Sequence, residues 1–182
     1  MDIAVLLTDG FQDSEYFLPK AEMEKLGIAT SVVSLTRRPI EIWSFFSRVG
    51  ALDVNREISE AKVEDYDGVL VPGGAKSPAT LAESPEVLDF IRAVNNAGKM
   101  VASICRGSLL VATSGICAGR RMTGFHLEEQ YPELIVRPAV EAAGGIWVSD
   151  EPVVVDRNII SSRHPDDLAH FSKAIARWFG KE

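Results

Sequence analysis

Apolar runs that suit buried strands alternate along this chain with segments that suit helices. The first run is Ile3-Ala4-Val5-Leu6-Leu7, and later runs reach Val71 and Ala102. Such alternation is typical of a mainly parallel sheet with helices packed on both of its faces. The sequence therefore predicts an α/β fold, a three-layer sandwich formed by a single domain over residues 1–182.

Turn and capping residues mark where the predicted elements begin and end. Asp13 suits the N-cap of the first helix and Gly27 its end, while Ser84-Pro85 opens a later helix. Residues 36–56 show no regular pattern, and Pro138 interrupts one predicted helix. The pattern predicts strands at 2–8, 30–35, 66–71 and 100–102, a hairpin at 153–156 and 158–160, and helices at 14–26, 85–98, 108–112, 131–143 and 165–179.

Charge and composition exclude several classes of protein. A formal net charge of -7 argues against general nucleic-acid binding, which needs a basic face. No apolar stretch approaches the roughly 18 residues that span a membrane, so we expect no membrane partner. Cys105 and Cys117 form no disulfide framework, which suits a reducing cytoplasm. No Cys/His cluster has metal-ligand spacing, so we expect no metal and no cofactor.

One cysteine has a context that suggests reactivity. In Ser103-Ile104-Cys105-Arg106-Gly107, an apolar run stops and a helix-like run follows at once. A strand that turns directly into a helix forms a nucleophile elbow, with the side chain at the carboxyl end of the sheet. The helix dipole then favours the thiolate, so we expect a lowered pKa for Cys105. The alternative is a buried cysteine that acts as a small apolar residue.

Two further segments fall at the carboxyl ends of predicted strands, where open parallel sheets bind ligands. They are residues 9–15, after the first strand, and Pro72-Gly73-Gly74, after the third. The N–H groups of Gly73 and Gly74, with that of Arg106, could form an oxyanion hole. The alternative is a plain turn.

The combination of these motifs resembles the ThiJ/PfpI superfamily, which includes an intracellular protease branch and a deglycase branch. The resemblance implies a flavodoxin-like fold related to class I glutamine amidotransferase domains. It runs over nearly the whole chain and is carried by residues 13–15 before Pro19, 66–74, 102–107, 119–123 and 161–168.

The resemblance also implies roles for individual residues. Cys105 matches the reactive cysteine, and Glu15 matches an acidic partner that donates a hydrogen bond to the thiolate or acts as an acid/base. Gly74 and the Arg106 amide match the oxyanion donors. The alternative for Glu15 is a first-turn glutamate that the helix dipole favours.

The chain departs from the family pattern at both histidines. Arg106 stands where the protease branch has a histidine, and a guanidinium cannot act as a base near neutral pH. It can stabilise a thiolate or bind a carboxylate or phosphate. Phe125 stands where the deglycase branch has a histidine, and His126 follows it, either in the pocket or on the surface. We expect His164 to cap or pack rather than to catalyse.

Residues 36–56, which precede the third predicted strand, suggest that the protein forms an oligomer. Ser47-Arg48 resembles a pair that in the deglycase branch crosses a dimer interface to the active site, so Arg48 is a candidate binding residue. Trp43, Phe45 and Phe46 could form a pocket wall, a dimer contact or local core. We expect a dimer contact, and hence a homodimer or a higher homo-oligomer.

Three functions remain open on this sequence. The first is a cofactor-free enzyme that acts on small reactive carbonyls, with Cys105 as nucleophile and Glu15, with or without His126, moving protons. The second is a cysteine peptidase or amidase, for which Arg106 removes the usual base. The third is a redox sensor that works by oxidation of Cys105.

Overall fold

A seven-stranded sheet organises the chain, which a computed structural model describes over residues 1–127 and 129–181. The strands are β1 (Asp2–Leu6), β2 (Phe11–Gln12), β3 (Ala29–Ser34), β4 (Ile40–Ser44), β5 (Ser47–Leu52), β6 (Arg56–Glu57), β7 (Gly68–Val71), β8 (Met100–Ile104), β9 (Arg121–Met122), β10 (Ile146–Trp147), β11 (Val153–Asp156) and β12 (Ile159–Ser162). The helices are α1 (Asp13–Lys25), α2 (Ser77–Ala82), α3 (Pro85–Asn96), α4 (Gly107–Thr113), α5 (Arg137–Ala142) and α6 (Leu168–Trp178).

The large sheet is mainly parallel and has the order β11-β12-β8-β7-β1-β3-β6. Only the β11–β12 pair, the predicted hairpin, is antiparallel within it. Strands β7 and β8 are buried along their whole length, as expected of parallel strands covered on both faces. Helices α1 and α6 pack together, and α2, α3 and α4 form a second group against β7 and β8. The predicted α/β sandwich is confirmed.

Residues 36–56 are more ordered than the sequence suggests. Strands β4 and β5 form an antiparallel hairpin, and β4 pairs with the short strand β2. The turn between them is Phe45-Phe46, and Phe45 adopts a φ of 54°. Hairpin turns with positive φ normally carry glycine or asparagine, so an aromatic pair gives no turn signal. The prediction of an irregular segment here is therefore wrong.

Two predicted helix boundaries also differ from the structure. The predicted helix at 131–143 shortens to α5, with Pro138 in its first turn, where proline is tolerated because its missing N–H has no partner there. Helix α1 starts at Asp13 with Gln12 as its N-cap, so Asp13 is not the cap. None of the helices within residues 1–127 and 129–181 has both the length and the hydropathy to cross a bilayer.

Glycine at position 107 allows α4 to pack against the end of β7. A Cβ atom built on Gly107 would overlap the carbonyl oxygen of Val71 and lie 3.2 Å from that of Pro72. Both neighbours are backbone atoms that cannot turn aside. The elbow therefore depends on a residue without a side chain.

We expect Gly107→Ala to lower the free energy of unfolding by about 2 kcal/mol or more, because the added methyl group overpacks the elbow. Urea denaturation measures this change. Gly50→Ala is the matched control, since its Cβ would meet only Ile42 at 3.4 Å. We expect that control to change stability by less than about 0.5 kcal/mol. Equal effects at the two positions would contradict the close packing at Gly107.

Candidate active site

Cys105 lies in a strained turn between β8 and α4. Its φ is 57°, in the left-handed region that non-glycine residues rarely adopt. Hydrogen bonds hold the backbone on both sides, because the Cys105 N–H donates to the Ser162 carbonyl and its own carbonyl accepts from the Phe125 N–H, each at 3.0 Å. The predicted elbow is present, with its cysteine at the carboxyl end of the sheet.

Three segments from the carboxyl ends of strands meet at Gly73. Its N–H donates to the Glu15 Oε2 at 2.6 Å, and its carbonyl accepts from the Gln12 N–H at 3.1 Å. A Cβ on Gly73 would lie 2.8 Å from that Oε2 and 2.9 Å from both the Arg106 nitrogen and the Cys105 Cβ. The close approach of glutamate and cysteine therefore requires glycine here.

This arrangement corrects the expected role of Gly73. Its N–H is engaged by Glu15, so it positions the carboxyl group and is not available as an oxyanion donor. The N–H groups of Gly74 and Arg106 remain the candidates for that role. Gly74 has a φ of 115°, and a Cβ there would overlap the Gly10 carbonyl oxygen, so this loop also requires glycine.

Glu15 is buried, with a side chain that is neutral near pH 7. Only 1% of the residue is exposed, and this burial raises its pKa to about 8 although hydrogen bonds with Gly73 and Cys105 lower it. Its other oxygen, Oε1, is buried and has no well-aligned partner among the described residues. A carboxyl group with a pKa near neutrality can both give and take a proton, as an acid/base catalyst needs.

The pKa of the Cys105 thiol departs from expectation. Burial raises it well above the ordinary value, and the negative charge of ionised Glu15 raises it further. The N–H and the guanidinium of Arg106 oppose the shift but do not outweigh it. The expectation of a lowered pKa is wrong, because removal of the thiolate from water is the largest influence on this group.

The Arg106 side chain is buried beside the cysteine. Only 6% of the residue is exposed, and Nη1 donates to the carbonyls of Gly74, at 3.0 Å, and of Ala75. These bonds fix the guanidinium to the loop after β7. The side chain is therefore placed at the reactive centre rather than in solvent.

A mostly apolar cavity opens above Cys105, Glu15 and Arg106. Its volume is about 130 Å³ and it opens to solvent, so it suits only a small molecule. Aromatic rings form one wall, with Tyr131 lying 5.8 Å from Phe46 and 6.2 Å from Phe125 between ring centroids. Phe45 also lines the cavity. The turn of the β4–β5 hairpin is thus a pocket wall within one protomer, and its use as a dimer contact stays a prediction.

The structure does not bring His126 into this cavity. His126 is exposed, and the neighbouring Phe125 lines the cavity instead. His164 lines the cavity as well, and its ring lies edge-on to that of His126 at 6.1 Å. The expected cap is also present, because the His164 Nδ1 accepts from the Asp166 N–H at 3.4 Å.

Two placements were hard to obtain from sequence. The sequence predicts that His164 caps or packs, yet it comes just after β12, at the same edge of the sheet as Cys105, and this position indicates that it can line the cavity. Tyr131 gave no signal, because a helix was expected there. Arg48 lies on β5 with its side chain largely exposed, 3.5 Å from the Glu41 carboxylate, and does not line this cavity. Its role across an interface stays a prediction.

Known proteins resemble this chain over nearly its whole length. The model of the DJ-1/PfpI family matches residues 1–177. The chain belongs to this family. A protein of Archaeoglobus fulgidus is 34% identical over 175 residues, covering 94% of each chain. The protein/nucleic acid deglycase 2 of Escherichia coli is 31% identical over 178 residues, covering 98% of this chain and 97% of the relative.

Solved structures of the DJ-1/PfpI family show the same fold. The crystal structure of Drosophila melanogaster DJ-1beta superposes with a TM-score of 0.85, covering 100% of this chain and 91% of the other at 23% identity. The predicted flavodoxin-like architecture is therefore confirmed, together with the resemblance on which it rested.

The pH dependence of Cys105 alkylation tests the Glu15–Cys105 pair. Glu15 ionises above about pH 8, and its charge then opposes the thiolate. In the wild type we expect the alkylation rate with iodoacetamide to rise with a midpoint above the ordinary thiol value. In Glu15→Gln, which removes that charge, we expect the midpoint to fall by about one pH unit.

Mass spectrometry of the peptide that contains Cys105 follows this reaction separately from Cys117. A midpoint that is equal or higher in Glu15→Gln would contradict the prediction. It would mean that the Glu15 side chain stabilises the thiolate.

Proposed function

We propose that this protein is a cysteine-dependent enzyme that acts on small reactive carbonyl compounds such as methylglyoxal. The observation that carries the proposal is the buried pair of Cys105 and Glu15 at the base of a mostly apolar cavity, with a glutamate pKa of about 8. A nucleophile in contact with a proton carrier of this pKa suits addition to a carbonyl group.

The first step is addition of the thiol to the carbonyl carbon. The Cys105 sulfur forms a bond to carbon while neutral Glu15 gives its proton to the carbonyl oxygen and takes the proton of the thiol in exchange. The product is a hemithioacetal. Because Glu15 and Cys105 both touch the same point of the Gly73 loop, the proton travels a short distance without solvent.

The second step rearranges the hemithioacetal. Glu15 takes the proton from the carbon that bears sulfur and gives its own to the adjacent carbonyl oxygen, which forms an enediol. It then returns a proton to the adjacent carbon and takes the hydroxyl proton from the carbon that bears sulfur, which leaves a thioester of a 2-hydroxy acid. Water then hydrolyses the thioester and regenerates the Cys105 thiol. Negative charge on oxygen develops in both additions, and the N–H groups of Gly74 and Arg106 are the donors proposed to stabilise it.

The named relative supports the same class of chemistry. The Escherichia coli protein is a protein/nucleic acid deglycase by name, and it matches nearly the whole of this chain. The peptidase alternative receives less support, because the guanidinium of Arg106 stays protonated and supplies no base beside the cysteine.

D-lactate formation from methylglyoxal tests the proposal. We expect wild-type turnover to fall at least about 100-fold in Cys105→Ser and in Glu15→Gln, because each removes a reacting group. Cys117→Ser is the matched control for loss of a buried cysteine and should retain turnover. His126→Ala should also retain most of it, because His126 lies outside the cavity.

Two results would overturn this assignment. Turnover that persists in Cys105→Ser would show that the cysteine is not the nucleophile. Absence of turnover in a folded wild-type protein, for methylglyoxal and for glyoxal alike, would contradict the proposed reaction with carbonyl compounds.

A further inference from the structure

The guanidinium of Arg106 is buried and forms no ion pair with the carboxylates that the structure describes. Within residues 1–127 and 129–181, the charge of Glu133 acts on it only from beyond ion-pair distance, whereas the one other buried arginine of that part, Arg120, forms an ion pair with Asp156 at 3.2 Å. A buried charge is costly unless it is paired and hydrogen-bonded. The fold therefore retains a cation here at a cost in stability.

The hydrogen-bonding capacity of this guanidinium is also only partly used. Nη1 donates to the Gly74 and Ala75 carbonyls. Nε is buried with no partner, and Nη2 donates to none of the described residues. The side chain is held in place at one nitrogen, and its remaining donors are unmatched.

These unmatched donors belong to a residue that lines the same cavity as Cys105. The cavity wall is otherwise mainly aromatic and aliphatic, including Phe45, Phe125 and Leu134. An anion that enters the cavity therefore finds one fixed cation, next in sequence to the nucleophile. A charge-assisted hydrogen bond is strong in such surroundings.

We propose that Arg106 binds the carboxylate of carbonyl compounds whose reactive carbon is bonded directly to a carboxylate, such as glyoxylate and other 2-oxo acids, so that these compounds bind at Cys105 as covalent adducts. This rests on the proposed function of Cys105. The carboxylate and the carbonyl carbon are adjacent atoms of the substrate, as Arg106 and Cys105 are adjacent in the chain.

Only the addition step applies to these compounds, because the rearrangement needs a second carbonyl carbon beside the first and a carboxylate does not supply one. The sulfur–hydrogen bond of Cys105 adds across the carbon–oxygen double bond, sulfur bonds to carbon, and the proton reaches oxygen through Glu15. No bond of the carboxylate forms or breaks in this step. No oxidant or reductant enters the step.

A pair of alkylating agents that differ only in charge tests the proposal. Iodoacetate carries a carboxylate and iodoacetamide a neutral amide, and both alkylate Cys105. We expect the ratio of their rate constants, iodoacetate over iodoacetamide, to fall about tenfold from the wild type to Arg106→Met. Arg106→Lys, which keeps the charge without the planar fork, should give an intermediate ratio.

Arg92→Met is the matched control, because it removes an arginine from the outer part of α3, away from the cavity. Its ratio should equal that of the wild type. A ratio that is the same in wild type, Arg106→Lys and Arg106→Met would overturn the proposal.

A second measurement needs no variant and covers the case in which Arg106→Met does not fold. Oxamate, which carries a carboxylate, should slow alkylation of the wild-type Cys105 by iodoacetamide, whereas acetamide at the same concentration should not. Equal protection by the two compounds, or none, would overturn the proposal.

These readouts are separate from turnover. If the iodoacetate-to-iodoacetamide ratio does not depend on Arg106 while methylglyoxal turnover is intact, only the role of Arg106 is overturned. If the ratio depends on Arg106 as expected but no carbonyl compound is turned over, the proposed function is overturned and the anion-binding role of Arg106 stands.

Discussion

The hydrogen bond between the Gly73 N–H and the buried Glu15 carboxyl group is the contact on which the site depends. It joins the start of α1 to the loop after β7, and Gly73 in turn touches the backbone of the Cys105 elbow. Burial of the carboxyl group raises its pKa to about 8, against the lowering effect of this bond, while the bond itself holds Glu15 beside the thiol. Strand ends that are distant in sequence become one reactive centre through this contact.

The walls of the cavity have a different origin from its base. The base comes from segments that directly follow β1, β7 and β8, whose positions the sheet register determines. The walls come from the β4–β5 hairpin turn and from the irregular segment that contains Tyr131. Changes in the walls leave the sheet intact, so substrate preference can vary on this fold while the cysteine and glutamate stay in place.

Sequence reasoning succeeded where local pattern and tertiary structure agree. The apolar runs at β7 and β8 and the Cys105-Arg106-Gly107 turn are local signals, and each formed as predicted. It failed at the β4–β5 hairpin, because the Phe45-Phe46 turn contains none of the residues typical of hairpin turns and is held by tertiary contacts instead. One such contact is the Phe45 N–H, which donates to the Gln12 side chain at 2.8 Å.

The amino-acid sequence by itself determined the alternating architecture and the elbow with its cysteine, and its resemblance to a known family pointed to the glutamate that meets this cysteine. Hydrophobic periodicity and glycine positions are properties of short segments, so they can be interpreted without coordinates. Only the tertiary structure decided that burial raises the pKa of Cys105, that Gly73 holds Glu15, and that Phe125 and His164 rather than His126 line the cavity. Each of these depends on which distant side chains exclude water from a group, and no local pattern encodes that exclusion.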